Sequence, residues 1–433
     1  MNWKKEIKIF LIIISVFLFV FYLPIGIKRF DNAVFEALYL VKWYAREHVL
    51  LCLIPAFFIA GAIGVFMSQE SVLKYFGANA NKILSYGVAS VSGTILAVCS
   101  CTVLPLFAGI YKMGAGIGPA SAFLYSGPAI NVLAIILTAR ILGIKMGLAR
   151  AVFAIFFSII IGLIMHLIFK KEEIAKSKSQ MSASYVQSIR PLWQTVIYFA
   201  SMIGILVFAN WGKPLEAQGL WYTIYNVKWL ITSLFAIVFS LTLIFIIRIG
   251  WIKVVSAGIL TLISILFFYK NPIIPFTIGT ASLAIISATE KNEANDWLFQ
   301  TWEFVKQITP LLFWGVLAAG FFLGGAGHEG IIPSKWISYC VGGNSLGANF
   351  FASIVGALMY FATLTEVPIL QGLMANGMGN GPALALLLAG PALSLQNMLV
   401  LNSIMGFKKT ATYVTLVVVM ATITGLIFGH FFN

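Results

Sequence analysis

Hydrophobic residues along this chain gather in long blocks, and polar residues are confined to short gaps between them. The apolar runs cover residues 9–27, 48–68, 84–110, 119–139, 149–169, 193–211, 228–248, 252–269, 273–288, 305–324, 348–370, 381–402 and 410–431. A helix crossing a bilayer needs roughly 20 apolar residues, so blocks of this length predict an all-α polytopic membrane protein with about 10–13 transmembrane helices. The run 273–288 is short for a span and opens on prolines. Phe35–Glu47 and Asp296–Gln307 mix aromatics with charges, the pattern of helices lying in the membrane interface. The first run has a basic front, but its length and lack of a small-residue cleavage site predict an uncleaved span. The longest polar stretch, Lys170 to Arg190, reads as a connecting loop.

Sliding the chain on itself by 263 residues, the step from Pro105 to Pro368, superposes a series of glycines and prolines. Thr102 falls on Thr365 and Gly109 on Gly372. Gly114, Gly116, Gly118, Pro119 and Ala120 fall on Gly377, Gly379, Gly381, Pro382 and Ala383. Gly127, Pro128 and Ala129 fall on Gly390, Pro391 and Ala392, and Gly143 falls on Gly406. The register holds without a gap from Gly93, on Gly356, to Gly143. Chance overlap of alanine or leucine is common in such a chain, whereas a run of matched glycines and prolines is not. The pattern predicts two related halves, with a substrate site between them near the midplane. The expected division is a first span and interfacial segment (1–47), repeat 1 (48–170), a connecting loop with intervening spans (171–304) and repeat 2 (305–433). The equivalent segments Arg140–Arg150 and Lys408–Lys409 are both basic, which favours parallel halves, although basic 170–190 argues against simple alternation.

Each half carries the same broken-helix syntax. A span runs into Pro105 or Pro368, passes a Gly-rich turn, and enters a second span interrupted at Gly127-Pro128 or Gly390-Pro391. Proline removes a backbone donor and frees a carbonyl one turn earlier, and in a bilayer such groups must be satisfied by protein, water or ligand. Polar residues cluster at these breaks. Cys99, Cys101 and Thr102 precede Pro105, and Ser126 and Asn131 flank Gly127-Pro128. Thr365 and Glu366 precede Pro368, and Gln396 and Asn397 follow Gly390-Pro391. Glu366 is a carboxylate deep in an apolar run, a functional-site candidate that would exchange a proton or bind a cation. The alternative is a protonated glutamic acid hydrogen-bonded between helices. Cys99 and Cys101 reach one ligand only if the backbone there is irregular; they are soft-metalloid ligands on one reading and small buried apolar residues on the other.

Composition sharpens this picture. Hydrophobic residues make up 60% of the 433 and charged residues 10%, which excludes a water-soluble enzyme, a disordered chain and a collagen-like one. The net charge of +14 comes from short basic clusters beside apolar runs, the signature of the positive-inside rule in a multi-pass cytoplasmic-membrane protein. No basic, aromatic-interleaved soluble module argues for nucleic acid. The four histidines, His48, His166, His328 and His430, have no metal-ligand spacing, so no metal is expected. Neither a Walker lysine nor a soluble dinucleotide-binding unit accompanies the glycine string at 114–118, and no cofactor or catalytic constellation is expected. Gly320 and Gly324 form a GxxxG pair, which predicts a close helix contact.

The segment C-S-C-T-V-L-P-L-F-A-G-I-Y-K-M-G-A-G-I-G-P-A-S-A-F-L-Y-S-G-P-A-I-N at 99–131 resembles the signature of the "predicted permease" family that includes the ArsP-type organoarsenical efflux permeases. T-L-T-E-V-P at 363–368 and G-N-G-P-A-L-A-L-L-L-A-G-P-A-L-S-L at 379–395 resemble its second signature. The resemblance covers roughly residues 48 to 431. It implies a polytopic transporter without its own ATPase, and for ArsP-type members export of trivalent organoarsenicals with cysteine ligands, a role Cys99 and Cys101 fit. The expected activity is a secondary-type permease for a small solute, with protons as the coupling ion. The alternatives are a passive channel or facilitator, or a structural subunit of a membrane complex.

Overall fold

The computed structural model describes residues 3–66, 81–96, 100–181, 191–212, 219–324, 330–333, 340–359, 366–375 and 377–432. These residues form α-helices with no β-strand among them. In chain order they are α1 (Trp3–Phe21), α2 (Lys28–Tyr44), a π-helical segment (Ala45–Leu53), α3 (Ile54–Phe66), α4 (Lys82–Leu96), α5 (Ser100–Lys112), α6 (Ile117–Ala129), α7 (Val132–Ile141), α8 (Ile144–Met181) and α9 (Leu192–Ala209). They continue as α10 (Leu220–Phe245), α11 (Trp251–Phe267), α12 (Ile273–Thr289), α13 (Glu293–Leu323), α14 (Leu346–Leu358), α15 (Glu366–Ala375), α16 (Asn380–Ala392), α17 (Leu395–Met405) and α18 (Phe407–Phe432). Among the described residues five helical stretches are long and apolar enough to cross a membrane: Val49–Phe66, Ile144–Glu173, Trp221–Phe245, Glu293–Phe322 and Phe407–Phe432. Counting the bent pairs α6–α7 and α16–α17 as one span each brings this to seven. The predicted runs 252–269 and 273–288 fall on α11 and α12, which are 17 residues each.

The two sets of helices keep one register. Under the shift of 263, Ile117–Ala129 coincides with Asn380–Ala392, and the starts at Val132 and Ile144 coincide with Leu395 and Phe407. Gly114 (φ 102°) and Gly377 (φ 98°) turn the chain in the left-handed region, as do Gly143 (φ 101°) and Gly406 (φ 83°). A side chain is strained there, so the matched glycines mark matched turns. In the first set α6 packs between α4 and α8, and in the second α16 packs between α14 and α18. The α6–α8 crossing is closed by glycine, with a Cβ built on Gly162 lying 2.7 Å from the Gly118 carbonyl oxygen. At the corresponding crossing, a Cβ on Gly425 would lie 2.7 Å from the Gly381 carbonyl oxygen. Tyr86 donates to the Gly162 carbonyl at 3.2 Å, and Asn349, 263 residues on, lies against Gly381 and Gly425. Between the sets α6 meets α16, α8 meets α18, α7 meets α15, and α5 meets α17.

The orientation corrects the parallel expectation. Lys145, at the start of α8, lies 5.1 Å from the centroid of Phe432, at the end of α18. Lys409, at the start of α18, lies 5.7 Å from the centroid of Phe169, far along α8. The two helices therefore run antiparallel, and the contacts stand about 35 Å apart by helical rise, close to the thickness of a bilayer. The basic segments at 140–150 and 408–409, which are largely helical, lie at opposite ends of this pair.

The polar and amphipathic segments take the following places. Lys170–Arg190 is not simply a loop, since α8 continues to Met181 and Glu173 is buried on it; 182–190 lie outside the described residues. Asp296–Gln307 is the head of α13, with Trp297 fully buried against Phe58, Phe66, Tyr198 and Phe239 and its Nε1 donating to the Phe58 carbonyl at 2.7 Å. Phe35–Glu47 lies in α2 and the π-helical segment, and α2 packs along α13 through Ala37 at Gly320. Gly324 ends α13 with φ 79°.

Candidate functional site

Pro105, Pro128 and Pro391 sit inside helices, and the chain breaks just after the last two, whereas α5 runs on unbroken past Pro105 to Lys112. Gly127 and Pro128 occupy the last turn of α6, and the break falls at Ile130–Asn131, where α7 departs at 44°. Gly390 and Pro391 end α16 in the same way, and α17 departs at 46° after Leu393 and Ser394. Asn131 and Ser394 stand at equivalent helix starts. Ser394 Oγ accepts from the Asn397 N–H at 3.4 Å, a capping contact that supplies an acceptor to an orphan donor.

Arg150, read from the sequence as part of a basic loop, is the main missed residue. It lies in the second turn of α8 with a fully buried side chain. Its Nε donates to the Ala129 carbonyl at 2.9 Å, and Ala129 is the last residue of α6 before the break. Its Nη1 donates to Thr138 Oγ1 on α7 at 3.0 Å. Arg150 thus clamps both limbs of the first broken helix. Its Nη2 lies 2.5 Å from Glu366 Oε1, and the Glu366 side chain is also fully buried. Neither carboxylate oxygen of Glu366 has another hydrogen-bond partner among the described residues. A charge cannot be left alone at this depth without a penalty of several kcal/mol, and the pair meets it by mutual neutralisation. The pair joins the two sets of helices, α8 to α15. It stands about 8 Å inward of the Lys145 contact by helical rise, nearer one end of α8 than its middle.

A second pair joins the sets near the other end of α8. Lys409 Nζ donates to Glu173 Oε1 at 2.7 Å and to the Tyr111 hydroxyl at 3.1 Å. Tyr111 donates to Glu173 Oε1 at 3.1 Å, and the Ile117 N–H, at the start of α6, donates to Glu173 Oε2 at 3.1 Å. Both oxygens of Glu173 are satisfied, and its place at a helix N-terminus adds favourable field. The contrast with Glu366 separates a saturated anchor from an unsaturated pair.

The remaining sequence-predicted residues are distributed around the breaks. Thr102 and Asn131 are buried. Ser126 donates to the Ala89 carbonyl at 3.2 Å, tying α6 to α4. Gln396 is buried against Gly315 of α13, and neither amide atom has a partner among the described residues; Asn397 Nδ2 is likewise unpartnered. Two phenols add to this set, Tyr125 on α6 and Tyr413 on α18, both buried with hydroxyls unpartnered among the described residues. Tyr413 occupies the position 263 residues beyond Arg150, so a phenol stands where the first break has its clamping cation. Cys99 and Thr365 lie outside the described residues, and the side chains of Cys101 and Pro368 do so as well. Among the described residues no group of His, Cys, Asp and Glu has the arrangement of a metal site.

A family model described as "Predicted permease" matches residues 34–430, and the chain belongs to that family. A UPF0718 protein of Methanocaldococcus jannaschii is 42% identical over 386 residues, which is 89% of this chain and 93% of the relative. The UPF0718 protein YraQ of Escherichia coli is 37% identical over 86 residues, covering 20% of this chain and 24% of that protein. No solved structure matches the chain.

Proposed function

We propose that this multi-pass permease is a secondary-type transporter that moves a small solute along the interface between its two helix sets, working around the Arg150–Glu366 pair. The observation that carries the reading is that pair: a fully buried ion pair, contributed one partner from each set, with carboxylate oxygens otherwise unpartnered among the described residues. Ionisable groups are kept inside a membrane where they move charge or hold substrate. The matched breaks and glycine crossings support the two sets being duplicated halves of opposite orientation, the architecture in which one half rocks against the other. Glu366 is the carboxylate through which protons would couple to transport. A finer reading, export of trivalent organoarsenicals or another thiophilic solute, rests on the resemblance together with Cys99 and Cys101.

The test is accumulation of a trivalent methylarsenical in everted vesicles, with and without a proton gradient. Gradient-driven accumulation by the wild type, lost in Glu366→Gln, supports the permease and its coupling residue. Accumulation undiminished in Glu366→Gln overturns the role of Glu366. Equilibration that persists after the gradient is collapsed replaces the transporter with a facilitator. A Cys99→Ser/Cys101→Ser variant that still accumulates the arsenical removes the thiol reading alone.

A further inference from the structure

We infer that Arg150 is an anion-binding site, that Glu366 is its resident occupant, and that the permease takes a small oxyanion there in place of the Glu366 carboxylate. This rests on the permease reading for its transport role but not on the thiol reading.

The two partners of the ion pair differ in how firmly each is held. Arg150 is fixed from three directions: Nε by the Ala129 carbonyl at 2.9 Å, Nη1 by Thr138 Oγ1 at 3.0 Å, and Nη2 by Glu366 Oε1 at 2.5 Å. Thr138 is itself anchored, since its hydroxyl donates to the Ala134 carbonyl at 2.6 Å. Among the described residues Glu366 has only Arg150. Removing the carboxylate leaves the guanidinium in its place with one edge open; removing the guanidinium would strand the Ala129 carbonyl and dismantle the clamp on α6 and α7. A ligand therefore enters by replacing the acid rather than the base, and it must be negative to compensate a buried guanidinium. The planar donor edge of arginine matches the oxygen spacing of carboxylate and tetrahedral oxyanions better than a spherical anion. A cationic solute pairing with Glu366, the reading suggested by the sequence, would have to displace the better-held partner.

The comparison within the molecule supports this. Glu173, facing Lys409, also bridges the two sets, but both of its oxygens are hydrogen-bonded. Nothing can replace it without losing three donors. The saturated pair is built to stay, and the unsaturated one is built to exchange.

The experiment uses full-length protein in detergent micelles, followed by tryptophan fluorescence during thermal unfolding, with sodium acetate or inorganic phosphate as probe against sodium chloride at equal ionic strength. Glu366→Gln vacates the anion position while keeping the shape. Acetate or phosphate should raise its midpoint, with an apparent affinity at least about tenfold tighter than for the wild type, in which Glu366 competes. The Arg150→Gln/Glu366→Gln double variant should lose the effect. Where Glu366→Gln does not fold, Glu366→Asp, whose shorter arm draws the carboxylate away from Arg150, should bind more tightly than the wild type. No oxyanion shift in either Glu366 variant, an equal shift in the double variant, or an equal shift with chloride overturns the inference. Stabilisation of the wild type by guanidinium or tetramethylammonium in place of acetate overturns it as well, in favour of a cation site. Vesicle transport without oxyanion binding would leave the permease standing and sink this site; binding in a protein that moves no solute would do the reverse.

Discussion

Alanine at Gly162 tests the packing that holds each broken helix in place. A methyl group there would lie 2.7 Å from the Gly118 carbonyl oxygen, 2.7 Å from Tyr86 Cε1 and 3.1 Å from Ala122 Cβ. An ordinary carbon–oxygen contact is about 3.3 Å, so the methyl overlaps the carbonyl by roughly 0.6 Å. The overlapped atom belongs to the α6 backbone, which cannot rotate aside, and the helices must separate along the crossing. Overpacking of this kind costs about 1–3 kcal/mol. Alanine recovers up to about 1 kcal/mol of helix propensity over glycine. The expected net loss is about 1–2 kcal/mol, read as a lowered unfolding midpoint in detergent. Gly425→Ala should behave alike, because its methyl would lie 2.7 Å from the Gly381 carbonyl oxygen. Gly258→Ala in α11 is the control: nothing lies within 4 Å of its Cβ position, so only the propensity gain remains. If Gly162→Ala is as stable as Gly258→Ala, the glycine crossing is not what seats α6 on α8.

Arg150→Ala should destabilise more than Glu366→Ala, each by about 3–5 kcal/mol for a stranded charge, with roughly 1 kcal/mol more for each neutral partner Arg150 leaves behind; equal midpoints would contradict the clamp. A Glu173→Gln/Lys409→Gln double-mutant cycle should give a coupling of about 1–3 kcal/mol, and independent effects would deny the anchor. Tyr413→Phe removes a hydroxyl with no partner among the described residues and should leave stability unchanged or raise it by up to about 1 kcal/mol; a large loss would mean the hydroxyl is satisfied. Lys145→Cys with Phe432→Cys should be linked by a bifunctional thiol reagent about 10 Å long, and linking of Lys145→Cys with Lys409→Cys instead would refute the antiparallel crossing.

The fold class was legible because apolar blocks of membrane length have few other uses, and the matched turns because only glycine tolerates the φ values that Gly114 and Gly377 adopt. Orientation was not, since a shift of the sequence on itself is blind to direction; it took Lys145 on Phe432 and Lys409 on Phe169 to fix it. Glu366 stood out as an acid in an apolar run. Its partner did not, because a basic residue at the head of an apolar run looks like a flanking charge. The signal was nonetheless present: Gly143 ends one helix and α8 begins at Ile144, which already carries Arg150 more than a turn inside. Glu173 was hidden for the same reason at the other end, where charge density suggested a loop although the helix runs on.

The antiparallel pairing of α8 and α18 also imposes a parity on the chain. The start of one helix lies level with the end of the other, so the polypeptide traverses the bilayer an odd number of times between Ile144 and Phe407. With α8 itself counted, the stretch from the end of α8 to Gly406 must make an even number of passages, however its short and bent helices divide the work. The C-terminal end of α18 then shares a compartment with the Gly143 turn, and the Gly406 turn faces the opposite one. An epitope inserted at each turn would read this out without any knowledge of what the permease carries.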